Sequence, residues 1–438
     1  MEIDKTTLAD LVIFDKEDEF SVFNKINLTT TSRGKEQLYF NLQNPLSNIE
    51  SIKNIQQTIL GIKSNKNNWP HIISNGTIMV VEKFFETQLD PIPSTPSTIQ
   101  TLNYKILHSH DFSLVKYSVK HCFDFIKGMQ QFVHIFLHAD TPLPLKNELE
   151  KAQKILANPQ LKVIEETKLA IDLLPTQMLQ LAHFIKYNFK LNMQFLLQIF
   201  GKLDAWYGMA LAAEKYNLVF PNFVESNLPF VEAKGLYHLM LKNPVSYNIL
   251  LNQTTNFIFL TGANMAGKST FIKACGIAVY LAHTGMGVPA QNMQLSFFDG
   301  ILSNINVIDN IAKGESYFYN EVQRIKATVQ KITNGKKWLI LIDELFKGTN
   351  VQDAMKCSAT VIEGLQKINT SAFILSTHLY EIGEELKKHK NISFNYFETA
   401  IDDDQLKFSY QLKEGISNDR LGYLILKKEG VLELLEKI

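Results

Sequence analysis

The chain has 438 residues, of which 45% are hydrophobic and 20% are charged, so its length and composition suit two or three globular domains. Basic and acidic residues number 44 each, and this zero net charge excludes a uniformly basic nucleic-acid binder but not a local basic face. Three widely spaced cysteines, a charged N-terminus and the lack of a long apolar run indicate a cytoplasmic protein that makes no membrane contact.

The first half of the sequence has helical patterns. In "NPLSNIESIKNIQQTILGI" the isoleucines recur at helical spacing after Ser47, which is the predicted N-cap. Three prolines within the segment 89–98 forbid a helix there and predict a linker or tight corner. Long amphipathic runs over 100–217 again predict helices. We therefore predict a helical region in two parts, 1–95 and 96–228.

From about residue 230 the pattern changes. Short β-rich runs ("NFIFLTG", "KWLILID", "SAFILSTH") alternate with helical runs, which predicts parallel strands joined by crossover helices. The predicted fold class is thus a multidomain protein, with an α-helical region followed by an α/β domain over 229–438.

A phosphate-binding loop follows the first of these strands. Its nine residues fit G-x-x-x-x-G-K-[ST] and are Gly262, Ala263, Asn264, Met265, Ala266, Gly267, Lys268, Ser269 and Thr270. The two glycines let the backbone N–H groups curl towards phosphate oxygens, and the next helix presents its positive end to the same anion. Lys268 would reach the β- and γ-phosphates of ATP, and Ser269 would bind Mg²⁺.

Two carboxylates and a histidine follow the other two strands. The apolar run in "KKWLILIDEL" ends at Asp343, predicted to hold Mg²⁺, and Glu344, predicted to orient the attacking water. His378 ends "SAFILSTH", where ligands bind in an open α/β sheet, and it is predicted to sense the γ-phosphate; the alternative is a structural histidine. Tyr247, just upstream of the loop, is the predicted adenine-stacking residue because an aromatic face suits a base.

Two further stretches of the sequence indicate which family of ATPases this chain resembles. Residues 282–291 and 297–325 resemble the MutS family, the mismatch-repair ATPases and their relatives. That family has a G-x-S-x-F-x-x-E stretch between its nucleotide motifs, which is similar to Gly314–Glu321 in this sequence. The resemblance implies that Ser316 reaches across a homodimer to the nucleotide of the partner.

The resemblance extends to the helical half. Residues 1–60 resemble the start of the family's core domain, and 195–225 resemble the lever helix that leads into an ABC-like P-loop ATPase domain. The chain departs from the family pattern in the loop, at Ala263 and Ala266, and after the carboxylates, at Phe346 and Lys347. Since the resemblance begins at the core, we expect a short form without the mismatch-recognition and connector domains.

Three functions stay open at this point. The first is a DNA-structure sensor without clear mismatch specificity, as the resemblance implies. The second is an RNA- or ribosome-directed ATPase, although the expected lack of a nuclease-like extension disfavours it. The third is a nucleotide-gated dimer that binds another protein, which the neutral charge favours. A basic stripe over 100–195 would favour nucleic acid, and a mixed surface would favour protein.

Overall fold

The computed structural model describes residues 1–14, 20–263, 265–306, 317–402, 405–417 and 431–435. The chain forms two compact units. A helical unit consists of Ile26–Asn44 and Lys53–Lys215, and an α/β unit consists of Met1–Lys25, Pro45–Ile52 and Tyr216–Ile438. The division at 95 and 228 stays a prediction. In the part of the chain that the structure describes, no helix has the length and apolar character that a membrane span needs.

The first half of the chain is helical, as predicted. Its helices, in chain order, are α1 (Lys5–Asp10), α2 (Val22–Ile26), α3 (Ser32–Gln43), α4 (Ile49–Ser64), α5 (Asn75–Glu86), α6 (Thr98–Leu107), α7 (Ser109–Phe136), α8 (Leu143–Leu156), α9 (Lys162–Glu166), α10 (Pro175–His183) and α11 (Lys190–Lys215). No helix lies between Glu86 and Thr98, which confirms the break predicted from the prolines. The predicted N-cap Ser47 is wrong by one residue, because the side chain of Asn48 accepts the hydrogen bond from the backbone N–H of Ser51.

Aromatic packing forms the centre of the helical unit. The buried residues of α7 recur every three or four positions, so one face of this helix lies in the core. Trp69 stacks on Tyr207 of α11, with ring centroids 4.0 Å apart, and meets Phe132 of α7 edge-on at 4.7 Å. The amphipathic pattern of the sequence therefore becomes helix-to-helix packing around large rings.

A buried carboxylate connects α11 to the start of α3. The side chain of Asp204 is fully buried, and it accepts hydrogen bonds from the backbone N–H groups of Thr30 and Thr31 at 3.0 and 2.9 Å. The hydroxyl groups of the same threonines donate at 2.8 and 2.6 Å. Four donors satisfy this carboxylate, as a buried charge requires.

The α/β unit contains two sheets. Their strands are β1 (Glu2–Ile3), β2 (Asn222–Val224), β3 (Val231–Leu236), β4 (Tyr247–Leu251), β5 (Phe257–Thr261), β6 (Asn292–Ser296), β7 (Gly300–Asn304), β8 (Trp338–Asp343), β9 (Ala372–Ser376), β10 (Ile392–Asp402) and β11 (Gln405–Glu414). The larger sheet has the order β1-β7-β8-β9-β5-β10-β11. In the described strands, β10 and β11 pair with each other antiparallel, and all other neighbours pair parallel. The smaller, mixed sheet has the order β2-β6-β3-β4.

The α/β unit also contains helices that lie between these strands or after them in the chain. They are α12 (Lys268–His283), α13 (Tyr317–Ile332), α14 (Val351–Leu365), α15 (Tyr380–Leu386) and α16 (Val431–Leu435). The three runs that predicted parallel strands are β5, β8 and β9, which lie side by side and are buried along their whole length. The structure thus confirms a helical region followed by an α/β region with mixed sheets.

The N-terminus belongs to the α/β unit, which the sequence did not indicate. Strand β1 pairs with β7 at the sheet edge. The buried carboxylate of Asp10 then accepts hydrogen bonds from the hydroxyl of Ser303 at 2.6 Å and from the backbone of Ile305 at 3.1 Å. Arg324 of α13 contacts the same carboxylate at 3.2 Å. Asp10 therefore ties α1 to the end of β7 and to α13.

Candidate functional site

The phosphate loop begins where β5 ends. Gly262 has φ 130° and Gly267 has φ 111°, a region of backbone conformation that favours glycine. Met265 also has a positive φ, 69°, and its side chain is exposed. Helix α12 starts directly after Gly267. Asn264 lies outside the described residues.

Lys268 lies in the concave side of this loop. Its amine donates hydrogen bonds to the carbonyl oxygens of Gly262 at 2.8 Å and Ala263 at 3.0 Å, and the side chain is buried. Burial lowers the pKa of Lys268 to about 8, although the nearby carboxylates of Glu344 and Asp343 oppose the shift. An anion bound in the loop would favour the charged form of this lysine.

The second part of the site is the carboxyl edge of the sheet. Asp343 is the last residue of β8, and it is in register with Ser376, the last residue of β9. The hydroxyl of Ser376 donates a hydrogen bond to the Asp343 carboxylate, and Ser376 is also in register with Leu260 of β5. The ends of three adjacent strands therefore place the carboxylate and the phosphate loop at one edge.

Glu344 has an unusual backbone conformation and two charged neighbours. Its φ is 66°, and its carboxylate contacts Lys347 Nζ at 3.1 Å and His378 Nε2 within hydrogen-bond distance. Burial alone would raise the pKa of Glu344, but the hydrogen bond with His378 and the contact with Lys347 outweigh it and lower the pKa to about 2. These contacts therefore stabilise the fold fully above about pH 4.5 and progressively less as the pH falls towards 2.

His378 follows β9 by two residues, close to the strand end at which the sequence placed it. About 36% of its side chain is exposed, and its described partner is Glu344. Its contact with a γ-phosphate stays a prediction.

A cleft of about 380 Å³ opens beside the loop. Its lining includes eight of the residues predicted from the sequence, namely Tyr247, Ala263, Met265, Gly267, Lys268, Ser269, Thr270 and Glu344. It also includes four residues that sequence reasoning missed, namely Leu241, Asn243, Val245 and Tyr410. Ala266, one of the two departures from the family pattern in the loop, is buried, and its small side chain is not part of the cleft lining.

The two tyrosines of the cleft differ in exposure. Tyr247 is only 5% exposed, because its ring packs edge-on against Phe271 at 5.3 Å and Phe397 at 5.7 Å. Tyr410 is 41% exposed and has φ 54°. The pairing of β10 with β11 shifts register between Phe397 and Thr399, opposite Tyr410. Such a bulge turns a side chain away from the regular alternation of its strand, so no sequence pattern marks Tyr410.

The oxygen ligands suit Mg²⁺ bound together with phosphate. Ser269, in the cleft lining, carries a hydroxyl, and Asp343, at the end of β8, carries a carboxylate. Both are hard oxygen groups of the kind that this ion prefers, and their role as its ligands stays a prediction. Among the described residues, no group of three or more His, Cys, Asp or Glu side chains could hold a metal ion by itself. Mg²⁺ typically takes one or two protein ligands and completes its shell with phosphate and water, so this small protein set fits it.

The segment predicted to reach a partner's nucleotide lies partly outside the described residues. Gly314 and Ser316 are not among the described residues, so the role of Ser316 stays a prediction. The motif continues in α13, where Phe318 packs against Phe346 and Glu321 is buried.

Comparison with known proteins places this site in a family context. Residues 258–434 match the family model of MutS domain V. A DNA mismatch repair protein MutS of Streptococcus sanguinis is 27% identical over 381 residues, which cover 84% of this chain and 44% of that protein. MutS of Persephonella marina is 31% identical over 54% of this chain and 27% of its own length. MutS of Leuconostoc mesenteroides is 30% identical over a region that covers 65% of this chain and 33% of that protein. The chain spans less than half the length of these curated relatives.

Proposed function

We propose, from the match of residues 258–434 to the family model of MutS domain V, that the chain is a Mg²⁺-dependent ATPase of the ABC-like P-loop kind. It would hydrolyse ATP to ADP and phosphate and work as a nucleotide-switched homodimer. The observation that carries the proposal is the meeting of Lys268 and Glu344 in one cleft, at the carboxyl ends of β5 and β8, the two strands on either side of β9.

The loop and α12 bind the phosphates. Backbone N–H groups and the positive end of α12 attract the anion, and the amine of Lys268 moves from the loop carbonyls to the β- and γ-phosphates. Ser269 and Asp343 would hold Mg²⁺, which would offset phosphate charge when bound.

Glu344 acts on the attacking water. With a pKa of about 2 its carboxylate is ionised at neutral pH, so it orients the water by accepting a hydrogen bond. His378 contacts one oxygen of this carboxylate, and in the proposed mechanism it responds when the γ-phosphate leaves. Attack then proceeds in line, with Lys268 offsetting the charge that develops on the phosphoryl oxygens.

The base would lie between the tyrosines and the loop. Tyr247 lines the cleft, but its ring is largely covered by Phe271 and Phe397. We therefore add Tyr410 as the ring whose exposed face stacks on adenine, with Tyr247 packing below as the support.

A DNA ligand is proposed from the relatives. The three proteins named above are DNA mismatch repair proteins, so the first candidate is a dimer that binds branched or duplex DNA when ATP closes it. Ser316 would then contact the nucleotide of the partner. A protein ligand is the second candidate, and one observation favours it. Helix α6 exposes Ile99, Leu102 and Ile106 at helical spacing, with exposed fractions of 73, 55 and 65%.

The ATPase proposal is tested by steady-state hydrolysis of ATP by the parent chain and by Lys268→Ala. We expect turnover to fall by at least about 100-fold, because the main positive charge at the phosphates is lost. Lys356→Ala is the matched control, since Lys356 is exposed on α14. Equal turnover in the parent and Lys268→Ala would contradict the proposal.

The ligand is tested by fluorescence anisotropy with four probes: matched duplex, single-mismatch duplex, four-way junction and structured RNA. Each probe is titrated with and without a non-hydrolysable ATP analogue, and Lys268→Ala serves as the control. Nucleotide-dependent binding to duplex or junction that weakens steeply with salt would support the DNA candidate. No binding to any probe would exclude nucleic acid as the ligand and favour the protein candidate.

A further inference from the structure

The loop that follows the catalytic carboxylates is strained. Glu344 has φ 66° and Phe346 has φ 59°, in the left-handed region that residues with a Cβ atom rarely adopt. Two such residues within three positions persist only where the surroundings hold the backbone in place. The contacts that hold this loop are therefore part of what aims Glu344.

Two side chains from the first turns of α13 hold the loop. The carboxylate of Glu321 accepts hydrogen bonds from the backbone N–H groups of Lys347 at 3.2 Å and Gly348 at 3.4 Å. The ring of Phe318 packs on the ring of Phe346, with centroids 5.6 Å apart. On the other side, the N–H of Glu344 donates to the carbonyl of Ser376 at 3.0 Å. The loop is thus fixed between α13 and β9.

Burial of the Glu321 carboxylate costs free energy. Its side chain is 5% exposed, and burial raises its pKa, an effect that the hydrogen bonds from the loop N–H groups oppose. A buried carboxylate that accepts N–H groups from a strained loop stabilises one arrangement of that loop above others.

The loop also sets the contacts of Glu344. Lys347, whose N–H Glu321 holds, places its Nζ 3.1 Å from one oxygen of Glu344, and His378 binds the other oxygen. Movement of the loop would change both the direction of Glu344 and its charged neighbour.

On the basis of the proposed ATPase function, we propose that Glu321, supported by Phe318, is a positioning residue for hydrolysis. It holds the loop from Leu345 to Gly348 so that Glu344 faces the attacking water.

The test compares kcat and KM for ATP in the parent, Glu321→Ala, Glu321→Gln and Phe318→Leu, normalised to the number of ATP sites found by titration. We expect Glu321→Ala to lower kcat by on the order of 10- to 100-fold, because small misplacements of a catalytic group have effects of this size. The KM for ATP should stay within about twofold, since the residues of the phosphate loop are unchanged. Glu321→Gln keeps one acceptor oxygen and the side-chain volume, so its kcat should lie between that of the parent and that of Glu321→Ala. It also provides the test if Glu321→Ala does not fold.

Gln323→Ala is the matched control, since Gln323 is exposed on the same helix. A residue that serves stability alone would lower the number of ATP sites or the unfolding temperature and leave kcat per site unchanged. Parent-like kcat per site in both Glu321 variants would overturn the inference while the ATPase stands. If the parent itself shows no hydrolysis that depends on Lys268, the proposed function and this inference both fall.

Discussion

The two units differ in backbone strain, measured by the non-glycine residues that have a positive φ. All six described non-glycine residues with positive φ lie in the α/β unit, namely Val12, Asn217, Met265, Glu344, Phe346 and Tyr410. The helical unit, whose residues 26–44 and 53–215 are all described, has none. Three of the six line the cleft, and Phe346 lies in the loop after Glu344.

The difference in strain goes together with a difference in what the buried carboxylates of the two units do. In the helical unit, the buried carboxylate of Asp204 has four hydrogen-bond donors and regular backbone around it. In the α/β unit, Glu344 combines a strained backbone with a shifted pKa. Strain of this kind is characteristic of sites at which the geometry of one side chain matters more than the stability of the fold. Substitutions in the two units should therefore affect different measurements.

The largest effect on turnover is expected for Glu344→Gln. The amide keeps the shape of the side chain but lacks the negative charge that orients the water and pairs with His378 and Lys347, so turnover should fall by about 10²- to 10⁴-fold while ATP still binds. The free energy of unfolding should change little by comparison, as measured by urea denaturation. Glu384→Gln is the control, because Glu384 is exposed on α15 and pairs with Lys387. Parent-like turnover of Glu344→Gln would remove this residue from the proposed mechanism.

The opposite result is expected for Asp204→Ala in the helical unit. Removing the carboxylate leaves the buried N–H groups of Thr30 and Thr31 without their acceptor, so the free energy of unfolding should fall by about 3–5 kcal/mol. Turnover per folded molecule should stay within about twofold. Urea denaturation and ATP hydrolysis are measured together, with the exposed Asp140→Ala as the control. If Asp204→Ala lost most of its turnover while its free energy of unfolding stayed unchanged, the distinction between the two units would be wrong.

A smaller effect is expected for Tyr410→Ala. Stacking on a base contributes about 1–3 kcal/mol, so ATP should bind at least about fivefold more weakly. Tyr247→Phe, which keeps the ring, should bind ATP as the parent does. Tyr117→Ala is the control from the helical unit, since Tyr117 is 56% exposed there. If Tyr410→Ala binds ATP with unchanged affinity, measured by isothermal titration calorimetry, the adenine does not stack on this ring.

The smallest signal is a proton taken up when ATP binds. The pKa of Lys268 is lowered to about 8, so between about pH 8 and 10.5 this lysine is neutral in the folded protein and charged in the unfolded chain, and stability rises with pH in that window. Bound phosphate favours the charged form. Calorimetry in buffers of different ionisation enthalpy should show uptake approaching about one proton per ATP at pH 9 and little at pH 6.5. Equal uptake at both pH values would mean that Lys268 is already charged.

Sequence reasoning located the loop and the strand-end acids better than the residues around them. The loop at 262–270 and the pair Asp343–Glu344 could be found because each motif is local, and the β-rich runs beside them form adjacent strands. Lys347 appeared in the sequence only as a departure from a family pattern. Its contact with Glu344 depends on a backbone turn at Phe346 that has no signature in the residue types.

The sequence by itself determined where phosphate could bind and which residues carry charge there, because a glycine-bounded loop, a lysine and two strand-end acids act through short-range rules of backbone geometry. Only the tertiary structure decided which distant residues come into contact. Asp10 and Ser303 are 293 positions apart in the chain, and Glu321 meets Gly348 across 27. Such contacts follow from the order of strands in the sheet and from the packing of α13, which the residue pattern of a single segment does not encode.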